Sequence, residues 1–283
     1  MSYVIISDSG NDLPVEVVKE FDLPLFRFTV TLDGKNFPDS EMDPKELMDI
    51  MRNGGTPKTS QVAVGDFETG FEEYVKEGKA IIYIAFSSGL SGTYNAACIA
   101  KQQLEEKYPD CDITVIDTKC ASTGFGLVVY KALCMQRDGA TKEEVIKATI
   151  ENSEKMDHIF TVESLEYLFK GGRVSRTSAI VGGILGIKPV LDVDDDGKLR
   201  PIEKVRGRKI SIKRLAEIAG KKADNLGEQL IGIVHGDCLD AVEELKGHMN
   251  AMYGCKDFMV AQLGTTIGAH AGPGTLAVFY IKK

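Results

Sequence analysis

Three runs of consecutive apolar, largely β-branched residues mark the first part of the chain: Tyr3-Val4-Ile5-Ile6, Ala80-Ile81-Ile82-Tyr83-Ile84-Ala85 and Ile113-Thr114-Val115-Ile116. Runs this short and this apolar predict strands buried on both faces, as in a parallel sheet. Each run leads into a polar turn and then a helical stretch. Asp8-Ser9-Gly10-Asn11-Asp12 precedes Leu13-Pro14, residues 87–92 precede a helix over 94–107, and Asp117 precedes a helix near 121–137. A strand, turn and helix repeated in this way argue for a doubly wound layer.

From residue 157 onward the pattern changes. Strands are expected over 187–193, 199–205, 229–235, 258–263 and 276–281, interrupted by helices near 210–225 and 240–251. The expected fold class is therefore α/β with two domains. Residues 1–157 form an N-terminal doubly wound parallel sheet, and residues 158–283 a C-terminal mixed-sheet α/β domain. No Gly/Ser/Pro linker separates them, which favours close packing and a ligand site at the junction.

Composition narrows the choice of partner. The 283 residues, 43% of them hydrophobic, can fill two cores. A formal net charge of -8, without long basic runs, provides no positive field for a polyphosphate, so nucleic acid is not expected. No apolar stretch approaches the roughly twenty residues that span a bilayer, and no basic and apolar leader opens the chain. A soluble cytoplasmic protein is expected, its six cysteines free, since none forms a C-x-x-C pair. His158, His235 and His248 lack metal-ligand spacing, and no glycine-rich nucleotide motif is present, so neither metal nor cofactor is expected. Asp192, Asp194, Asp196-Gly197 and Glu203 match a calcium-loop pattern, but strand-like flanks and Pro201 make this a hairpin turn.

The candidate chemistry lies in the turns. Ser87-Ser88-Gly89-Leu90-Ser91-Gly92-Thr93-Tyr94-Asn95 places hydroxyls and small residues at a helix start, a geometry that suits either an anion or an ordinary N-cap. Thr56-Pro57-Lys58-Thr59-Ser60-Gln61 is a second hydroxyl cluster and reads as a capping turn. Residues 264–274 form a glycine-dense loop around His270, where the imidazole could orient a hydroxyl beside a ligand. Gly171-Gly172-Arg173 places a cation after a short amphipathic helix, either as a charged C-cap or as a docking residue. The apolar run 180–187 reads equally well as core or as pocket wall.

Together with Ile6-Ser7-Asp8-Ser9, Leu165-Glu166-Tyr167-Leu168 and His270-Ala271-Gly272-Pro273-Gly274, these segments resemble the DegV family of bacterial fatty-acid-binding proteins over essentially the whole chain. Gly10-Asn11 departs from the family, where hydroxyl residues are common. The resemblance implies a two-domain fold related to dihydroxyacetone kinase substrate domains, and a carrier, not an enzyme, with no cofactor beyond its bound lipid. It implies that a long-chain fatty acid is buried and presented to a fatty acid kinase for acyl-phosphate formation. Thr59, Ser60, Ser91, Gly92 and His270 would hold the carboxylate, and Arg173 and Arg206 would meet the kinase. It further implies a monomer, without a transmembrane segment but compatible with transient membrane-surface contact. Three other readings compete. One is a serine hydrolase or acyltransferase using Ser91 and His270, although Gly89-Leu90-Ser91-Gly92 breaks the nucleophile-elbow pattern by one residue. The others are a binding module for a small polar ligand such as a triose, and a regulatory or scaffold protein.

Overall fold

The computed structural model describes residues 2–175 and 186–283. In chain order the first half contains β1 (Tyr3–Asp8), α1 (Val15–Glu20), β2 (Leu25–Phe26), β3 (Thr29–Leu32), β4 (Lys35–Pro38), α2 (Pro44–Arg52), β5 (Lys58–Ser60), α3 (Val64–Lys76), β6 (Ala80–Ala85), α4 (Thr93–Lys107), β7 (Ile113–Asp117), α5 (Ser122–Arg137) and α6 (Lys142–Lys155). The three apolar runs are β1, β6 and β7, and they form the parallel sheet β2-β1-β6-β7. Strand β6 is buried along its whole length, as its continuous apolar sequence requires. Its side chains alternate, with Ile81, Tyr83 and Ala85 meeting the Phe67, Phe71 and Leu104 cluster of α3 and α4, while Ile82 and Ile84 face the opposite layer.

One part of this half departs from the pattern reading. Residues 56–61 are not a capping turn, because β5 pairs with β3 in a small antiparallel sheet ordered β4-β3-β5.

The second half contains β8 (Met156–Thr161), α7 (Glu166–Lys170), β9 (Ile187–Val193), β10 (Leu199–Arg206), α8 (Arg208–Lys222), β11 (Ile231–His235), α9 (Leu239–Tyr253), β12 (Phe258–Gln262), α10 (Thr265–Ala271) and β13 (Leu276–Ile281). They build the mixed sheet β10-β9-β8-β13-β11-β12, in which only the β11–β12 pair is parallel. The 194–198 segment is the β9–β10 hairpin turn. Residues 264–274, expected as a loop, hold the helix α10 instead. Gly268 sits inside this helix because a Cβ there would lie 2.7 Å from Met48 Cε. The glycine allows close helix packing and does not break the helix.

Helix α5 joins the halves. Its residues from Ser122 to Val129 are all buried, and it packs in a central apolar layer with Ile82 and Ile84 of one sheet and Phe160, Ala277 and Phe279 of the other. Gly124 permits the approach, since a Cβ there would stand 2.6 Å from Phe279 Cδ1 and 2.8 Å from His158 Nε2. A shared core of this kind explains why no flexible linker is present.

Candidate functional site at the junction of the two sheets

Strand β5 has an outward, inward, outward pattern: Lys58 and Ser60 are exposed and Thr59 turns inward. Thr59 Oγ1 lies 2.7 Å from His270 Nε2, joining β5 to the last turn of α10. The imidazole is backed by bare backbone, because a Cβ on Gly171 would fall 2.0 Å from its Nδ1. That Nδ1 is buried and has no hydrogen-bond partner among the described residues. Burial, reinforced by the nearby charge of Arg173, lowers the His270 pKa to about 4. The ring is therefore neutral at physiological pH, with one nitrogen tied to a hydroxyl.

The turn after β6 supplies the second hydroxyl. Ser91 Oγ lies 2.9 Å from Thr93 Oγ1 and accepts from the Thr93 N–H at 3.2 Å. The capping reading and the ligand reading of Ser91 are thus compatible: when Thr93 donates both bonds, the Ser91 proton is left to point elsewhere. Gly92 is the N-cap of α4, and a Cβ there would lie 2.1 Å from Gln61 Oε1. A side chain here would displace the end of the Gln61 side chain, which lies across the glycine.

Carboxylates fix these elements from behind. Asp8 accepts from Tyr83 Oη at 2.7 Å, from the Phe86 N–H at 2.9 Å and from the Gly10 N–H at 3.1 Å, so it anchors the end of β6. Asp12 accepts from Ser122 Oγ at 2.5 Å and from the Gly264 N–H at 3.1 Å, pinning the start of α5 and the residue before α10 to one carboxyl. Both Asp12 (φ 46°) and Ser122 (φ 53°) adopt the left-handed conformation to make this contact. Asp39 adds a bond from Thr266 Oγ1 at 3.1 Å. Burial is the main reason the pKa values of Asp8 and Asp12 rise to about 7, and their hydrogen bonds only partly offset it.

Thr59, Gln61, Ser91, Gly92, Arg173 and His270 share the wall of one cavity of about 270 Å³. The rest of the wall is mainly apolar, including Phe28, Phe86, Phe160, Val234, Leu263 and Phe279. Two further polar wall residues are satisfied internally: Ser122 donates to Asp12, and His158 Nε2 accepts from the Ala121 N–H at 3.1 Å. Burial lowers the His158 pKa to about 4, so this ring is neutral too. The cavity wall therefore combines a few hydroxyl and imidazole groups and one guanidinium with a mainly apolar lining, an arrangement suited to an amphipathic acid.

Not every expected residue is there. Ser60 is exposed and lies outside the cavity wall, because strand alternation sends it to the opposite side from Thr59. Arg173, expected at the surface, is a half-buried part of the wall, donating through Nε to Leu90 O at 3.1 Å and through Nη1 to Gly171 O at 2.5 Å. Arg206 is exposed at the end of β10, away from the cavity. The stretch 180–185, read as core or pocket wall, lies outside the described residues. Gln61, Phe28 and Ser122 are wall residues that the sequence reading passed over. Gln61 lies one residue past the end of β5 and is exposed, so no strand period points to it.

The hydrolase reading needs a nucleophile bonded to its base. In the structure Ser91 pairs with Thr93 and His270 with Thr59, so the two requirements fall on different partners.

Comparisons with known proteins agree with this architecture. The model of the uncharacterised DegV protein family matches residues 2–283. A DegV domain-containing protein of Clostridium perfringens is 44% identical over 282 residues, which cover 99% of this chain and 97% of that one. A DegV lipid-binding protein of Thermotoga maritima has 33% identity, a TM-score of 0.86 and full coverage of both chains. A fatty-acid-binding DegV family protein of Streptococcus agalactiae has 30% identity and a TM-score of 0.87, covering 100% of this chain and 99% of its own.

Proposed function

This chain belongs to the DegV family, and from that premise we propose that it binds a long-chain fatty acid, head between Thr59, Ser91 and His270 and tail along the apolar wall. The observation that carries the proposal is the joining of Thr59 to His270 across 211 residues of sequence, in the wall of the same cavity as Ser91. The DegV structures described as fatty-acid- or lipid-binding support the ligand class. Residues 1–157 would then supply the carboxylate-binding turns of Thr59 and Ser91, and residues 158–283 would add His270 and close the lipid pocket.

Tail and head contribute differently. Burying about fifteen methylenes at ~0.8 kcal/mol each yields roughly 12 kcal/mol before association and ordering costs. A hydrogen bond to a charged group adds roughly 1.5–3 kcal/mol, so a few donors mainly fix the position and direction of the head. Neutral hydroxyl donors also leave the carboxylate oxygens free of a tight guanidinium pair, which would lower their nucleophilicity. This suits a carrier that presents the acid to a fatty acid kinase, which would convert it to an acyl phosphate.

On this reading Arg206 and the rim near Arg173 face the kinase, and the protein acts as a cytoplasmic monomer without catalysis of its own. Six unpaired cysteines are consistent with a reducing compartment. Among the described residues no helix is long and apolar enough to cross a membrane.

Mass spectrometry of lipid released by denaturing the purified protein tests the proposal. A stoichiometric long-chain fatty acid is the expected result. Protein that carries none, and takes up none when incubated with palmitic acid, would refute the ligand assignment.

A further inference from the structure

The hydroxyl groups along the cavity wall fall into two sets with opposite hydrogen-bonding character. Helix α10 runs along the wall, since Thr266, Ile267, His270 and Ala271, which share one helical face, all line it. In its last turn His270 meets Thr59, where a carboxylate calls for donors. At its start Gly264 gives its N–H to Asp12, and the same carboxyl takes the Ser122 Oγ proton at 2.5 Å. Thr266, in the first turn, gives its own proton to Asp39 Oδ2 at 3.1 Å. From Thr266 and Gly264 to His270 the helix rises roughly 6–9 Å, at about 1.5 Å per residue. A head group held by Thr59 and His270 therefore leaves Ser122 and Thr266 beside the tail.

These two side chains are poor neighbours for methylenes. Ser122 and Thr266 line the cavity and are only 4% and 5% exposed, so bulk water does not solvate them. Each hydroxyl has a single hydrogen, already donated within the protein, and among the described residues no group donates to either oxygen. What remains on each is lone pairs. The nearby imidazole of His158 does not fill them, because its Nε2 is itself an acceptor from the Ala121 N–H. Ser122 also holds a φ of 53°, a conformation that glycine adopts without steric penalty. Serine at this position keeps an oxygen in the wall in spite of backbone strain.

We infer that Ser122 and Thr266 form a second recognition site in the cavity, for a hydroxyl group carried on the acyl chain, so that the ligand class includes mid-chain hydroxy fatty acids. The inference rests on the fatty acid reading above and adds a point of contact along the tail. An extended chain advances about 1.25 Å per methylene, from carbon–carbon bonds of about 1.5 Å, which puts the hydroxyl on about carbons 6–8. There the ligand O–H donates to Ser122 Oγ or Thr266 Oγ1, a bond that a methylene cannot make. An alcohol also fits the protonated form of Asp12, in which Ser122 receives the carboxyl proton and passes its own to the ligand oxygen.

Competition against a fluorescent fatty acid on the delipidated full chain tests this with palmitic, 7-hydroxypalmitic and 12-hydroxypalmitic acids. The 7-hydroxy acid is expected to bind at least as tightly as palmitic acid. The 12-hydroxy acid is expected to bind about tenfold more weakly, because its hydroxyl gives up hydrogen bonds to water and meets apolar wall. In a Ser122→Ala, Thr266→Val protein the affinity for the 7-hydroxy acid relative to palmitic acid is expected to fall about fivefold, the loss of a neutral hydrogen bond. The ratio cancels any general loosening of the cavity, and the comparison of the three acids on the unmodified protein stands without the variant. Equal weakening by the 7- and 12-hydroxyl groups, or a ratio unchanged in the variant, would overturn the hydroxyl site and leave the fatty acid reading intact. Failure of the unmodified protein to bind any of the three acids would overturn that reading as well.

Discussion

Removing both head-group hydroxyls in a Thr59→Val, Ser91→Ala protein is expected to weaken fatty acid binding by about 10²–10⁴-fold, from roughly 1.5–3 kcal/mol for each lost bond to a charged group. The same variant is expected to bind the methyl ester of that acid almost as well as the unmodified protein does. An ester carries no charge for the hydroxyls to stabilise, and its tail meets the same walls. Thr59→Val preserves the shape of the β-branched side chain, and Ser91→Ala removes a single oxygen, so the cavity keeps its form. Competition against a fluorescent fatty acid measures both affinities. Equal losses for acid and ester would mean that these residues shape the pocket without recognising the head.

The second large effect concerns pH. Stability of the unmodified protein is expected to change little between pH ~4 and ~6.5, whereas an Asp8→Asn, Asp12→Asn protein loses stability steeply as the pH falls. In the folded protein burial raises Asp8 and Asp12 from 3.8 to about 7. The folded state then holds protons that the unfolded state has released, so these two groups favour folding as the pH falls through the window. Burial lowers His158 and His270 from 6.5 to about 4. Here the unfolded state holds the extra protons, so the histidines oppose folding as the pH falls. Asp39 shifts in the same sense as the acids and His235 in the same sense as the other histidines. The opposing slopes nearly cancel. Without the two acids the histidines dominate, worth at most roughly 3 kcal/mol for fully buried His158 and less for partly exposed His270. Urea denaturation at both ends of the window measures the slope, whatever the absolute stability of the variant. A double variant as insensitive to pH as its parent would contradict this assignment of buried charge.

The sequence was most legible where burial is total. Strand β6 is buried at every position and β1 at all but its first two, so their apolar runs need no further context, while the edge strand β7 is partly buried and is read from its apolar run. The sheet β4-β3-β5 has no local signature because its strands are short and largely polar, with Lys35–Pro38 mostly exposed and Thr29–Leu32 mostly half-buried. Their pairing depends on distant partners, which no local pattern reports. The glycines around His270 gave the opposite error. They suggest a loop, but Gly264 and Gly268 are small because Asp12 and Met48 press against them.

At the site, Thr59, Ser91 and His270 were identified as candidates from turn chemistry and family resemblance, and they do line one cavity. Ser60 falls outside the wall because strand alternation turns it away from Thr59, and Gln61, just past the strand, lies beside Gly92. Asp12 was the least foreseeable, because its role depends on Ser122 and Gly264 arriving from remote parts of the chain.

The position of the bound carboxylate is the decisive feature of the site. A crystal structure of the protein with palmitic acid tests this directly, and the carboxylate oxygens are expected about 2.5–3.2 Å from Thr59 Oγ1 and Ser91 Oγ, with the tail against Phe86, Phe160 and Phe279. A fatty acid bound with its head beside Ser122 and His158, or bound outside this cavity, would contradict it.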